Sequence, residues 1–171
     1  MQARYAYCSI LCFAAAMAFA GQMKPDFTGS WEFTGIEENG QRFPPRSGFK
    51  ETQVWAQRES NLNIKMTIFS NGYYSLDLAY VIGGKRGPVG SGVSGAGRKD
   101  PVNGSAYWEG DRLVYEQEHP NAEKGAIKRI VRSVHLEKDG TEMVADQTYW
   151  VAGSDKKLEQ KCYWQKKRDL P

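Results

Sequence analysis

Apolar and polar residues alternate along most of the chain, and this period of two restricts its fold more than any other feature. Between Asn61 and Ile68 every second residue is apolar, and the pattern recurs elsewhere. Because successive side chains of an extended strand point to opposite faces, it indicates strands with one buried face. About nine segments are predicted as strands: Thr28–Gly35, Glu51–Gln57, Asn61–Ile68, Ser75–Ile82, Ser105–Glu109, Arg112–His119, Ile127–Lys138, Glu142–Ala152 and Lys157–Lys166.

Short turn signals separate these segments. Asn39-Gly40, Asn71-Gly72 and Asp139-Gly140 are pairs that suit the positive φ angles of hairpin turns. Because the connections are short and helical patterns are missing between them, consecutive strands are expected to pair antiparallel. The sequence therefore predicts an all-β fold, an antiparallel up-and-down β-barrel of about 8–10 strands, with at most one short helix near Pro44–Phe49. A β-sandwich is the alternative.

The N-terminus has the layout of a signal peptide. Arg4 precedes an apolar run from Ala6 to Ala20, which ends in the small-residue motif Ala18-Phe19-Ala20. The run is shorter than the roughly 20 apolar residues that span a bilayer. We predict a cleavable signal peptide over residues 1–20, a single domain over residues 21–171, and a secreted or periplasmic location.

Charge and reactive residues exclude several functions. The formal net charge is +3 with both signs interspersed, which does not predict nucleic acid binding. Cys162 is the one cysteine outside the signal segment, and its strand-like surroundings predict a buried side chain. His119 and His135 are the two histidines, so no metal cluster is expected. We predict no metal and no cofactor; an enzyme using His119, His135 or Tyr115 at the barrel mouth is the least favoured possibility.

A glycine-rich segment interrupts the alternation. Residues 83–104 contain eight glycines together with Lys85, Arg86, Arg98 and Lys99. Such composition is typical of a mobile loop, which is our prediction. The alternative is a loop whose amides and cations contact an anionic ligand group.

The inward faces of the predicted strands supply a candidate ligand site. Arg132 shares its parity with Val134 and Leu136, and a buried cation needs a partner. One possibility is that the partner is a carboxylate of the chain itself, or that a bulge turns Arg132 outward. The other is that the partner is the carboxylate or phosphate of an amphipathic ligand. Gln160 is also predicted to point inward. The candidate ligand-binding residues are Trp55, Tyr80, Tyr115, Arg132, Gln147, Tyr149 and Trp164.

The segment Asp26-Phe27-Thr28-Gly29-Ser30-Trp31 resembles the opening of calycin barrels, the lipocalins and fatty-acid-binding proteins. It is more closely similar to small secreted bacterial proteins of unassigned function that begin Asp-Phe-Thr-Gly-x-Trp. The resemblance implies a lipocalin-like barrel whose first-strand Trp31 packs across the base under a late basic residue, Lys166 or Arg168. The Arg-x-Tyr pair that fatty-acid-binding proteins carry on the last strand has no counterpart in Lys161-Cys162-Tyr163-Trp164.

Two functions follow, and they differ in whether the barrel is hollow. The first is a lipocalin-like protein that binds a small apolar or amphipathic molecule inside the barrel. The alternative is a packed barrel without a cavity that acts as an interaction module of the cell envelope, through exposed aromatic side chains and the glycine-rich segment.

Overall fold

Antiparallel strands make up nearly all of the structure, a computed structural model that describes residues 24–168. The strands are β1 (Gly29–Glu38), β2 (Gln41–Phe43), β3 (Lys50–Arg58), β4 (Asn61–Phe69), β5 (Tyr73–Val81), β6 (Gly87–Ser94), β7 (Lys99–Glu109), β8 (Arg112–Glu118), β9 (Ile127–Glu137), β10 (Glu142–Val151) and β11 (Lys157–Lys166). In this part of the chain a single 3-10 turn is found, over Lys138–Gly140. Within residues 24–168 no helix has the length and apolar character needed to cross a membrane. The predicted signal peptide lies outside the described residues.

The strands close into a barrel. Neighbouring strands pair in the order β1-β3-β4-β5-β6-β7-β8-β9-β10-β11, and β11 returns to β1, where Trp31 lies opposite Lys166. β2 pairs only with the end of β1 and lies outside the ring. The up-and-down barrel is therefore confirmed with ten strands, and the sandwich alternative is wrong. Closure leaves no long unpaired edge in the ring.

Pro44–Phe49 form no helix, which agrees with the expectation of at most one short helix. These residues form an irregular connection with a turn at Ser47 and Gly48. Pro45 disfavours the helical conformation of Pro44, and Gly48 has a φ of +80°, outside the right-handed helical region. The segment instead links β2 to β3 at one end of the barrel.

The glycine-rich segment is also not the mobile loop that we predicted: β6 and the first half of β7 occupy it as paired strands. A Cβ atom on Gly90 would lie 1.9 Å from the backbone oxygen of Asp77, and one on Gly104 would lie 2.1 Å from that of Glu116. Glycine at these positions lets neighbouring backbones approach closely. The glycines that interrupt the alternation of apolar and polar residues are thus the residues that permit these strands to pair.

The two ends of the barrel differ. At the closed end lie the beginning of β1 and the turns at residues 59–60, 82–86, 110–111 and 138–141; at the open end lie the connections 39–49, 70–72, 95–98, 119–126 and 152–156. The buried core fills the closed half and follows the predicted parity: Trp55, Leu62, Ile64, Met66, Leu76, Leu78, Tyr80, Leu113, Tyr115, Val134, Met143, Ala145, Cys162 and Trp164. Leu158 shares this parity but is exposed, because it lies at the open end.

Trp31 seals the closed end. Its side chain is fully buried, and its indole Nε1 donates a hydrogen bond to the backbone oxygen of Phe27 at 2.9 Å. Lys166 Nζ lies 5.4 Å from the centre of the Trp31 ring. Phe27 itself stacks against Trp108. The expectation drawn from the resemblance is confirmed, with Lys166 as the basic residue over the tryptophan.

Cys162 is buried in this core, as predicted, and is the free cysteine of the described chain. Burial raises the pKa of its thiol to about 12. The thiol is therefore protonated at neutral pH and behaves as a small apolar side chain.

One carboxylate is buried on the outer wall. Glu142 is 2% exposed at the start of β10, and Arg42 Nη1 donates to its Oε1 at 2.9 Å. Lys138 Nζ also lies 3.0 Å from the carboxylate. The Arg42 guanidinium stacks on the ring of Tyr163, with its carbon 3.4 Å from the ring centre. This cluster fixes β2 against the outside of the barrel.

We expect Glu142→Gln to lower the free energy of unfolding by about 1.5–3 kcal/mol at neutral pH, the usual contribution of a hydrogen bond to a charged group. Burial alone would raise the pKa of Glu142, but the hydrogen bonds from Arg42 and Lys138 outweigh it and hold the pKa below its usual value of 4.5. A lowered folded-state pKa contributes stability above the unfolded value, and this contribution is lost as pH falls through the folded value. Urea unfolding as a function of pH measures the effect; the two proteins should converge below pH 4.5, and a constant difference down to the acid limit would contradict the assignment.

Candidate ligand site

A cavity of about 600 Å³ opens at the open end of the barrel. Its walls are mostly apolar and are contributed by Phe49, Met66, Ile68, Tyr74, Leu76, Ile127, Ile130 and Tyr149. Its volume lies within the roughly 300–1,000 Å³ of small-molecule sites. The interior is thus packed in the closed half and hollow in the open half, so the alternative of a packed barrel without a cavity is wrong.

A belt of polar side chains separates the two halves. On β9 the inward residues run from Val134 to Arg132 to Ile130, and on β10 and β11 the same level is polar. Gln147 lies opposite Arg132, and Gln160 lies opposite Gln147. The full belt, which we call the polar belt, comprises Glu51, Gln53, Gln117, Arg132, Gln147 and Gln160. All of its residues except Gln53 line the cavity, and they form its floor.

Arg132 points into the barrel and is 6% exposed. Its Nε donates to Gln147 Oε1 at 3.0 Å, while its Nη1 is buried without a hydrogen-bond partner. In the part of the chain that the structure describes, it has no carboxylate within 4.0 Å, and its pairing with β8 and β10 is regular. Neither the internal ion pair nor the outward bulge considered for Arg132 is therefore present.

Arg132 remains charged in this setting. Burial by itself would lower the pKa of the guanidinium, but the electrostatic influence of Tyr115 and Glu51 outweighs it and holds the pKa above its usual value. The guanidinium carbon lies 5.7 Å from the centre of the Tyr115 ring. The floor of the cavity thus holds a buried cation with free hydrogen-bonding capacity.

Gln117 adds a second set of free polar atoms. It is 1% exposed, and neither its amide nitrogen nor its amide oxygen has a partner. On β8 it lies two residues beyond Tyr115, which is opposite Arg132, so Gln117 and Arg132 are diagonal neighbours on one face. An unsatisfied buried polar group costs about 1–3 kcal/mol, and native structures contain few of them. Together the two residues offer donors and an acceptor to whatever fills the cavity.

The opposite side of the polar belt is satisfied internally. Glu51 Oε1 accepts hydrogen bonds from Gln53 Nε2 at 2.5 Å and from Trp164 Nε1 at 3.0 Å. Gln53 Oε1 in turn accepts one from Trp55 Nε1 at 2.7 Å. These bonds fix the tryptophans of the packed core below the cavity. The free polar atoms therefore concentrate on the β8–β9 side.

The structure brings together three of the seven residues predicted from the sequence. Arg132, Gln147 and Tyr149 line the cavity. The other four belong to the packed core beneath it: Trp55, Tyr80, Tyr115 and Trp164. Tyr115 is their centre, with ring centres of Trp55 at 5.5 Å and of Tyr80 at 5.9 Å.

Sequence reasoning missed Glu51 and Gln117. The signal was available, since Glu51 shares parity with Trp55 on β3, and Gln117 with Tyr115 on β8. A polar residue at an apolar parity position is the common sign of both.

The residues considered for catalysis do not meet. His119 lines the cavity, and its Nδ1 lies 2.9 Å from Asp100 Oδ2. His135 has outward parity on β9, and its Nε2 lies 3.0 Å from Glu137 Oε1. Tyr115 is buried in the packed core, and this burial raises the pKa of its hydroxyl. Residues 24–168 contain no group of three or more His, Cys, Asp and Glu side chains placed to hold a metal ion.

No protein-family model matches this chain, and neither does any curated protein. Among solved structures, the REP1-NXSQ fatty acid transporter is similar with a TM-score of 0.54 and 13% identity, over 85% of this chain and 98% of that chain. A secretory abundant heat soluble protein from Ramazzottius varieornatus is similar with a TM-score of 0.50 and 16% identity, over 82% of this chain and 94% of its own. At these identities the likeness shows the barrel fold.

Proposed function

We propose that this protein binds a small amphipathic molecule inside the barrel, with its apolar part in the cavity and its polar head group on Arg132 and Gln117. The observation that carries the proposal is the buried guanidinium, whose Nη1 is free at the floor of a mostly apolar cavity. A guanidinium binds carboxylate or phosphate through paired hydrogen bonds. The likeness to a barrel described as a fatty acid transporter supports the same class of ligand.

We further propose that the barrel works outside the cytoplasm, as a secreted or periplasmic carrier. The cationic start, the apolar run from Ala6 to Ala20 and the small-residue motif before Gly21 support export. Fractionation of expressing cells, with N-terminal sequencing of the exported product, tests this proposal. A product that retains residues 1–20 in the cytoplasm would contradict it.

A fluorescent probe tests the binding proposal directly. The neutral apolar dye N-phenyl-1-naphthylamine should brighten on entering the cavity and should be displaced by dodecanoate. Dodecanol, which has the same chain length and no charge, serves as the comparison for the head group. Absence of dye uptake, together with no change in tryptophan emission across a panel of lipids, would overturn the proposal.

Arg132→Met should weaken the binding of dodecanoate by about 10–100-fold, because a hydrogen bond to a charged group contributes about 1.5–3 kcal/mol. Binding of dodecanol should change much less. We expect the free energy of unfolding to stay nearly constant, since methionine fills a similar volume and the substitution removes a buried cation that has no close ion pair. Dye displacement and urea unfolding measure the two effects.

The matched control is Arg129→Met, three residues earlier on the same strand. Arg129 bonds to Glu116 and stacks on Trp150, and it does not line the cavity. Arg129→Met removes the same charge as Arg132→Met, but at a position outside the cavity. It should therefore leave dodecanoate binding unchanged. Equal losses in both variants, or a fall in stability with Arg132→Met as large as that of a core truncation, would assign Arg132 a structural role.

A further inference from the structure

Large apolar side chains are exposed around the open end. Phe69 and Tyr73 flank the β4–β5 turn with 47% and 43% of their surfaces accessible, and their ring centres are 5.2 Å apart. Ile127 at the start of β9, Leu158 near the start of β11 and Phe43 on β2 are exposed at the same end. We call these five residues the apolar rim. They surround the mouth of the cavity, and Ile127 also contributes to its wall.

Basic side chains accompany the apolar rim. Six exposed residues at the open end have no ion pair within 4.0 Å among residues 24–168: Arg46, Lys50, Lys99, Lys124, Lys128 and Lys156. Only Glu38 and Asp155 are acidic residues in the same situation there. In the described part of the closed end, basic and acidic side chains without ion pairs are equal in number. The open end of the described barrel therefore carries a local excess of positive charge that the modest net charge of the chain conceals.

We propose that the open end docks on an anionic lipid bilayer. Aromatic side chains are favoured at the level of the lipid head groups, and lysines extend their ammonium groups to lipid phosphates while their methylene stems stay in apolar surroundings. Each cation near an anionic leaflet adds attraction, so six of them act together. A nucleic acid would use the charge but would leave the exposed aliphatic side chains of Ile127 and Leu158 without a role. The apolar rim and the surrounding cations together match a bilayer.

This docking places the mouth of the cavity against the membrane. If the proposed ligand binding holds, an amphipathic molecule would then pass between bilayer and barrel without crossing bulk water. The docking itself depends only on the rim and its charges, so the two proposals can fail separately.

Vesicle sedimentation tests the docking with residues 21–171, which include every strand of the barrel and exclude the apolar run before Gly21. We expect binding to phosphatidylcholine vesicles that contain phosphatidylglycerol, much weaker binding to pure phosphatidylcholine, and a fall in affinity with added salt. Lys124→Glu with Lys156→Glu should weaken binding at least about tenfold. Phe69→Ser with Tyr73→Ser should weaken it by a similar factor without changing the charge.

Matched variants at the closed end serve as controls. Arg58→Glu with Lys85→Glu makes the same change of charge, and Tyr107→Ser removes an equally exposed aromatic ring near the closed end. Both should bind vesicles as the unchanged protein does. Dye uptake measured without vesicles, with circular dichroism, reports whether each variant keeps its fold and its cavity.

Three results would overturn the docking: no binding to anionic vesicles by the folded protein, equal losses in rim and control variants, or retention of binding when Phe69 and Tyr73 are replaced. Binding of a single-stranded oligonucleotide as tightly as anionic vesicles, unaffected by the Phe69 and Tyr73 substitutions, would assign the basic surface to another partner. Vesicle binding that persists in a protein that takes up no dye would leave the docking standing and would remove the proposed ligand.

Discussion

Gly90→Ala is expected to lower the free energy of unfolding by about 4 kcal/mol, combining backbone strain with overpacking. Gly90 has a φ of +154°, which side-chain-bearing residues rarely adopt, and a Cβ there would meet the Asp77 backbone oxygen at 1.9 Å. That oxygen belongs to β5, the next strand of the ring, so relief requires the two strands to move apart. Urea unfolding followed by circular dichroism measures the loss.

Gly87→Ala is the control on the same strand. A Cβ at Gly87 has no neighbour within 4 Å, and its φ is not in the restricted range. Alanine there should be neutral or should stabilise the protein by up to about 1 kcal/mol, because it reduces the freedom of the unfolded chain. Similar small effects at both positions would mean that residues 87–94 are not held in the sheet and behave as a mobile loop.

Trp31→Ala should cost about 3–5 kcal/mol, the usual range for removing a large aromatic side chain from a core. The substitution opens the closed end of the barrel and leaves the backbone oxygen of Phe27 without its indole donor. It also removes the ring beneath Lys166. The midpoint of thermal or urea unfolding should fall accordingly, while dye uptake by the remaining folded protein should persist, because the cavity lies at the other end.

Tyr107→Ala is the comparison for this truncation. Tyr107 lies on β7 with 48% of its surface accessible, so its removal should change the free energy of unfolding by no more than about 0.5 kcal/mol. If Trp31→Ala left the free energy of unfolding unchanged, the closed end would be held by other contacts. The Gly29-x-Trp31 motif would then not contribute to the stability of the barrel.

Side-chain alternation predicted the barrel because it reports directly which face of a strand is buried. It failed over residues 83–104, since glycine has no side chain to alternate, and the close approaches at Gly90 and Gly104 depend on neighbours more than ten residues away. β2 was missed for another reason: all three of its residues are exposed, so it carries no burial signal.

The candidate site was predictable in direction but not in depth. Parity placed Arg132, Gln147 and Tyr149 inside the barrel, and all three line the cavity. The same parity placed Trp55 and Trp164 inside, yet these belong to the packed core below the cavity. Height along a barrel depends on register and tilt between strands, which a single sequence does not encode locally. The polar belt marks that height, because it is where inward residues change from apolar to polar.

The pairing of β1 with β11 brings the two ends of the described chain side by side. Lys167 donates its backbone N–H to Ser30 at 2.8 Å, at the end of the barrel remote from the cavity. A short linker could therefore join the ends, and the chain could be opened at the Gly110-Asp111 turn to give a circular permutant with every strand pairing retained. A fusion partner or surface tether attached at either end would project away from the mouth. The barrel can thus be immobilised with its cavity and apolar rim facing solution.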